Sequence, residues 1–216
     1  MRAPPPGGAG RPAMVVEMGF LKEIDEATAT GPAADYYAEA RRRSGQVLNL
    51  HRTCAHLPEL AGHFEAMTGA LKARMGLRRY ELVTLAAALA LRSSYCALAH
   101  GKVLLENGMS PEELERIATE RGHTSITPQE ADLMGYAAEI VTDATAIGPA
   151  HVAALRAHGL SEEEIAQAAA AAALRCYFSK YLDALGTRPD ADFMALPEGL
   201  RRALARGRPI DEATAA

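Results

Sequence analysis

Three four-residue boxes constrain this chain more than any other feature: "SPEE" at 110–113, "TPQE" at 127–130 and "SEEE" at 161–164. Each puts Ser or Thr at a helix N-cap and Glu at the third helical position, where the two side chains and backbone amides satisfy one another. Two of them add Pro in the first turn, where its missing N–H is no loss. Helix signals of this kind run from residue 33 to 206, and no stretch shows the β-branched, period-two alternation of a strand. The sequence therefore predicts an all-α fold.

The two serine boxes expose an internal repeat. "HGKVLLENGMSPEELERIA" (100–118) aligns with "HVAALRAHGLSEEEIAQAA" (151–169) at a constant offset of 51. Each copy reads as helix, glycine stop, capped helix. The offset pairs His100 with His151, but Cys96 with Ile147. The hairpin is therefore scaffold, and the cysteine belongs to one copy alone. Before it, "ELVTLAAALALR" (81–92) is apolar nearly all round, which places it at the centre of the bundle or in a subunit contact. The run "QAAAAAALRC" (167–176) offers small side chains on every face, and Leu174, Phe178, Leu182 and Leu185 after it suggest an apolar stripe with Cys176 as a core thiol.

The expected organisation is a disordered Pro/Gly-rich leader at 1–13, one helical domain at 14–206 and a tail at 207–216. Within the domain, the motif core spans 75–118 and the second hairpin 127–186. A net charge of −4 builds no basic field for nucleic acid or an anionic membrane, so neither is an expected partner. Three widely spaced cysteines, an odd number, argue against a disulfide scaffold and for reduced thiols in a cytoplasm. No phosphate-binding loop, nucleophile elbow or nucleotide fingerprint is present, so the expected chemistry needs no cofactor. His51, Cys54, His56 and His63 are metal-ligand types, but on one helix they point different ways, and this stretch is read as amphipathic surface with no metal.

The remaining cluster is "SSYCALAHG" (93–101). On a helix Ser93, Cys96 and His100 share one stripe. Ser93 or Ser94 can cap a new helix after Arg92, which would set Cys96 in the first turn, where free N–H groups favour a thiolate. Against this stands the ordinary tendency of free cysteine to be an inert core residue.

"YELVTLAAALALRSSYCALAHGKVL" (80–104) resembles the core motif of the alkyl hydroperoxidase D-like and carboxymuconolactone decarboxylase family. That motif is a Glu, eleven residues, then Cys-x-x-Cys-x-x-x-His. Glu81, Cys96 and His100 match it in spacing, while Ser93 replaces the first cysteine. The resemblance implies the family's helical bundle, a cysteine at 96 that attacks peroxide, and a proton relay of His100 and Glu81. It also implies that Ser93 cannot resolve the oxidised thiol, so an external thiol reductant is needed. A straight helix would separate residues 81 and 93 by about 18 Å, so the relay requires a bend near Arg92–Ser94 or a bridging water.

Three functions are consistent with this. The first is a hydroperoxide-reducing antioxidant peroxidase acting through Cys96. The second is a cofactor-independent decarboxylase-like lyase acting on a small organic acid through His100 and Glu81. The third is a non-catalytic binding protein on the same fold. The family's habit adds a homo-oligomer, trimer or hexamer.

Overall fold

A computed structural model describes residues 19–119 and 125–212, so the expected leader and the end of the expected tail lie outside the described residues. Ten α-helices and no strand occur among the described residues. In chain order they are α1 (Gly31–Ser44), α2 (Asn49–Cys54), α3 (Pro58–Met75), α4 (Leu77–Ala90), α5 (Ser94–Glu106), α6 (Pro111–Thr119), α7 (Pro128–Asp143), α8 (Pro149–Ala157), α9 (Glu162–Ala184) and α10 (Glu198–Leu204).

All three capping boxes form. Ser110 and Glu113 exchange bonds of 3.1 and 2.8 Å, Thr127 and Glu130 of 3.2 and 2.8 Å, and Ser161 and Glu164 of 3.2 and 2.9 Å. The offset of 51 also holds at the level of single hydrogen bonds. Gly108 and Gly159 adopt φ of 96° and 83°, a region that only glycine enters freely. The amides of Met109 and Leu160 then return to Leu104 O and Leu155 O, closing the same cap in both copies. Leu104 pairs with Leu155 and Leu114 with Ile165, and all four are buried.

α4 is the central helix. Tyr80 to Ala88 are all buried, packed by α3, α5, α7 and α9, which leaves its apolar circumference satisfied within one chain. That burial supplies no argument for a subunit contact. α9 approaches α4 closely because Ala168, Ala171 and Ala172 face inward with no more than 1 % exposure. Its buried stripe continues through Arg175, Ser179 and Leu182 and not through Leu174, Phe178 and Leu185, which leaves Cys176 half-buried instead of in the core. Among the described residues no helix is long and apolar enough to cross a membrane.

The chain turns sharply between α4 and α5. Arg92 takes φ 57°, the one positive value among described residues other than glycine. Ser93 N reaches back to Ala88 O at 2.9 Å, so the left-handed residue ends α4 as a glycine would. For Arg this conformation costs about 1–2 kcal/mol, and the C-terminal segment holds it in place. The Arg92 side chain donates to Arg206 O at 3.1 Å, and Gly207 N donates to Ser94 Oγ at 2.8 Å. A Cβ on Gly207 would collide with Arg92 O, so only glycine can cross here. The bend expected near Arg92–Ser94 is therefore built and clamped.

Candidate functional site

Because of that corner, α5 runs back beside α4 and the two helices share one buried polar cluster. Glu81 Oε2 lies 2.6 Å from His100 Nδ1, and the other carboxylate oxygen lies 2.5 Å from Lys72 Nζ on α3. Glu81 is 1 % exposed. Burial opposes its charge, but His100 and Lys72 more than offset that and hold the carboxyl below its ordinary value. Burial, aided by the charge of Arg175, pushes His100 down to about 4 against the pull of Glu81. The imidazole is therefore neutral at pH 7. An ionised carboxylate on Nδ1 requires the proton to sit there, which leaves the lone pair on Nε2. Thr84 Oγ1, bonded to Tyr80 O at 2.7 Å, lies 3.1 Å from Nδ1 and helps fix the ring. The pair of Glu81 and oriented His100 has the arrangement that general-base chemistry needs.

Cys96 is the third helical residue of α5, in the first turn, and is 2 % exposed. Its sulfur meets Arg175 of α9, whose Nη1 lies 3.3 Å from Sγ. No hydrogen bond joins it to His100, although both lie on one stripe of α5 a turn apart. The guanidinium of Arg175 stands 6.0 Å from the Phe64 ring and 5.6 Å from that of Phe178, within cation–π range. The expected relay thus divides into two contacts: Glu81 with His100, and Arg175 with Cys96.

Ser93 occupies the N-cap of α5, but its hydroxyl caps nothing; it is fully buried, and Oγ has no partner in good hydrogen-bond geometry, although it faces the Asp183 carboxyl of α9. Ser94 is the serine that holds the crossing backbone of Gly207. Tyr95 anchors the same turn from the other side. Its hydroxyl donates to Asp190 and accepts from Leu50 N at 3.4 Å, tying α5 to α2 and to the loop before α10.

The histidine-rich segment does not assemble. His51 Nδ1 accepts from Leu48 N at 3.0 Å and caps α2, while His63 is 74 % exposed on α3. No group of three metal-ligand side chains occurs among the described residues. His151, the repeat partner of His100, likewise caps α8 by accepting from Gly148 N at 3.0 Å. Reasoning from sequence missed Lys72, Thr84 and Arg175. Thr84 follows Glu81 by three residues and so shares its face, a usable signal. Lys72 and Arg175 arrive from other helices and carry no local mark.

Residues 58–139 match the carboxymuconolactone decarboxylase family, and that span contains Glu81, Ser93, Cys96 and His100. Over that span the chain is similar to this family, and its helical bundle is the alkyl hydroperoxidase D-like fold. A peroxidase-related protein from Ralstonia eutropha JMP134 with an alkylhydroperoxidase AhpD core superimposes at a TM-score of 0.72 and 22 % identity, covering 83 % of this chain and 96 % of that one. A peroxidase-related protein from Silicibacter sp. TM1040 gives 0.71 at 19 % identity, over 83 % of this chain and 95 % of that one. A protein of unknown function from Agrobacterium tumefaciens gives 0.55 at 24 % identity, over 61 % and 91 %. These likenesses establish the fold. No curated protein matches the chain.

Proposed function

We propose that this chain reduces hydroperoxides through Cys96, as an alkyl hydroperoxidase D-like peroxidase. The observation that carries the reading is a thiol in a helix first turn, 3.3 Å from a buried guanidinium and one turn from a neutral histidine whose Nδ1 is held by a carboxylate. His100 Nε2 accepts the thiol proton, Sγ bonds to the terminal peroxide oxygen, and the O–O bond breaks. The electron pair leaves on the alkoxide, which takes the proton back from His100. The sum is thiol plus hydroperoxide giving sulfenic acid plus alcohol. With Ser93 beside it, the sulfenic acid is reduced by two equivalents of an external thiol, through a mixed disulfide and with release of water. Peroxide treatment in the presence of a sulfenate trap, followed by peptide mass spectrometry, should mark Cys96. Absence of the adduct from a folded, peroxide-exposed sample would refute the reading.

One observation favours a second reading. The Glu81 and His100 pair is complete, while Ser93 removes the resolving thiol, so the same pair could act as acid and base on a small carboxylated lactone. Under that reading Cys96→Ser keeps its activity; under the first it has none. By the family's habit the chain forms a trimer or hexamer, and a monomer by light scattering at micromolar concentration would contradict that.

A further inference from the structure

We infer that Arg175 is the counter-ion of a Cys96 thiolate, so that a residue on α9 sets the charge of the thiol on α5. The inference rests on the reading of Cys96 as the reacting group and names the residue that readies it.

The argument begins with a charge that cannot be discharged. A guanidinium stays protonated at any pH a folded protein meets, so when buried it needs an anion or a full set of acceptors. Arg175 is only 7 % exposed. Among the described residues no carboxylate lies in ion-pair reach of it; Lys72, by contrast, has Glu81 at 2.5 Å, and Arg79 of α4 has Glu164 at 2.6 Å. Its Nε is buried with no acceptor, and Nη1 points at Cys96 Sγ. The Phe64 and Phe178 faces steady a cation but contribute no net charge. Cys96 and Tyr80 are the groups beside the guanidinium that can become anions, and of the two a thiol ionises more readily than a phenol, so Cys96 is the anion this cation can hold.

The surroundings agree. The charged and titratable groups facing this pair are Tyr80 on α4, His100 and Tyr95 on α5, and, one shell out, Glu81 with Lys72. Glu81 is already neutralised by Lys72 and bonded to His100, so it is not free for Arg175. Neutral His100 brings no charge to Sγ. Ionisation releases the Cys96 proton to water or to His100 Nε2 and leaves sulfur and guanidinium as a pair within a helix first turn, whose amides favour the same charge.

The test is peptide-resolved alkylation of the full chain by iodoacetamide between pH 5 and 10. Mass spectrometry then separates Cys96 from Cys54 and Cys176. Wild-type Cys96 should alkylate at pH 7 at least about tenfold faster than Cys176. Arg175→Gln should slow Cys96 alkylation at pH 7 by about tenfold to a hundredfold, with the difference closing by pH 10. Arg175→Lys, which keeps the charge but loses the fork, should restore part of the rate. An unchanged Cys96 rate in Arg175→Gln overturns the inference and leaves the peroxidase reading standing. A wild-type Cys96 no faster than Cys176 also overturns it, and whether peroxide still marks Cys96 decides the peroxidase reading separately. Should Arg175→Gln lose its helical circular dichroism, urea denaturation of wild type and Cys96→Ser decides. A thiol whose folded-state pKa lies below the unfolded one makes wild type gain stability as pH rises toward about 8.5, a gain absent from Cys96→Ser. Parallel curves would sink the pairing.

Discussion

Cys54 and Cys96 are equally buried, each 2 % exposed, yet they sit in opposite chemical surroundings. Cys54 ends α2 against Tyr36 and lines an apolar cleft with Phe64, Tyr177 and Tyr181. Burial first, and then the charge of Glu65, pushes its thiol up to about 12, although the hydrogen bond with Tyr36 works the other way. Cys96 begins α5 against the Arg175 guanidinium. Exclusion of water by itself favours the protonated thiol, so depth in the core says nothing about reactivity. A cation and a helix terminus at the sulfur are what separate a candidate nucleophile from a packing residue.

The most direct way to break this comparison is to remove each sulfur. Cys96→Ser should abolish peroxide consumption to below detection, while Cys54→Ser leaves the turnover rate within about twofold. Activity retained by Cys96→Ser would transfer the chemistry to the lyase reading. Intact protein offers a second contrast, in alkylation rates at pH 7. A thiol held near 12 is ionised to about one part in a hundred thousand, so Cys54 should react at least about a thousandfold more slowly than Cys96. Equal rates for the two would return Cys96 to the inert core.

Glu81→Gln sharpens the comparison on the proton side. It removes the charge that fixes Nδ1–H and leaves Lys72 without its partner, though Lys72 is 38 % exposed and can turn to solvent. Orienting carboxylates of this kind are worth about tenfold to a hundredfold in rate, which steady-state kinetics should find in kcat. Cys54 alkylation should not change.

The imidazoles repeat the lesson in acid. His51 and His100 are both pushed down to about 4, each chiefly by burial. Between about pH 6.5 and 4 the unfolded chain therefore binds more protons than the folded one, and stability falls as pH drops through that window. Each histidine accounts for up to about 3 kcal/mol at the acid end. Urea denaturation at pH 7, 5.5 and 4.5 should show that loss, and His51→Asn should flatten it. A flat wild-type profile would mean that neither ring is held neutral.

How much of this was readable in advance follows from where each signal lies. The capping boxes and glycine stops are local, and every one of them forms. The Glu81 and His100 pairing was readable only through the family resemblance, which implied the relay and with it a bend near Arg92–Ser94 or a bridging water. Arg175 was not, because an alanine-rich helix gives no contrast between its faces: the expected stripe ran through Leu174 and Phe178, and α9 instead turns Arg175 and Ser179 inward. A lone Arg among small residues four positions from Ser179 was the one available hint. Similarly, the apolar circumference of α4 suggested burial correctly but not by what, since four helices of the same chain, α3, α5, α7 and α9, already cover it.

Ser93→Cys should have the smallest effect on rate and stability while changing the product. Ser93 Oγ is fully buried and outside good hydrogen-bond geometry, with the Asp183 carboxyl as the one polar group facing it among the described residues, so replacing it with sulfur sacrifices at most that weak contact, and the added volume should cost less than about 1.5 kcal/mol. The new thiol would stand three residues before Cys96 on the same face of α5, at the N-cap, where a Cys-x-x-Cys pair can close a redox-active disulfide. First-step peroxide consumption should stay within about threefold of wild type, because Arg175, His100 and Glu81 are untouched. The oxidised state should differ: two free thiols lost and regained with a dithiol, where wild type stops at a sulfenate or mixed disulfide. Thiol counting before and after mild peroxide measures this directly. If the variant folds and Cys96 oxidises but the disulfide never forms, the two side chains do not converge. Ser93 would then be a packing residue on the same footing as Cys54, and not the vacated half of a redox pair.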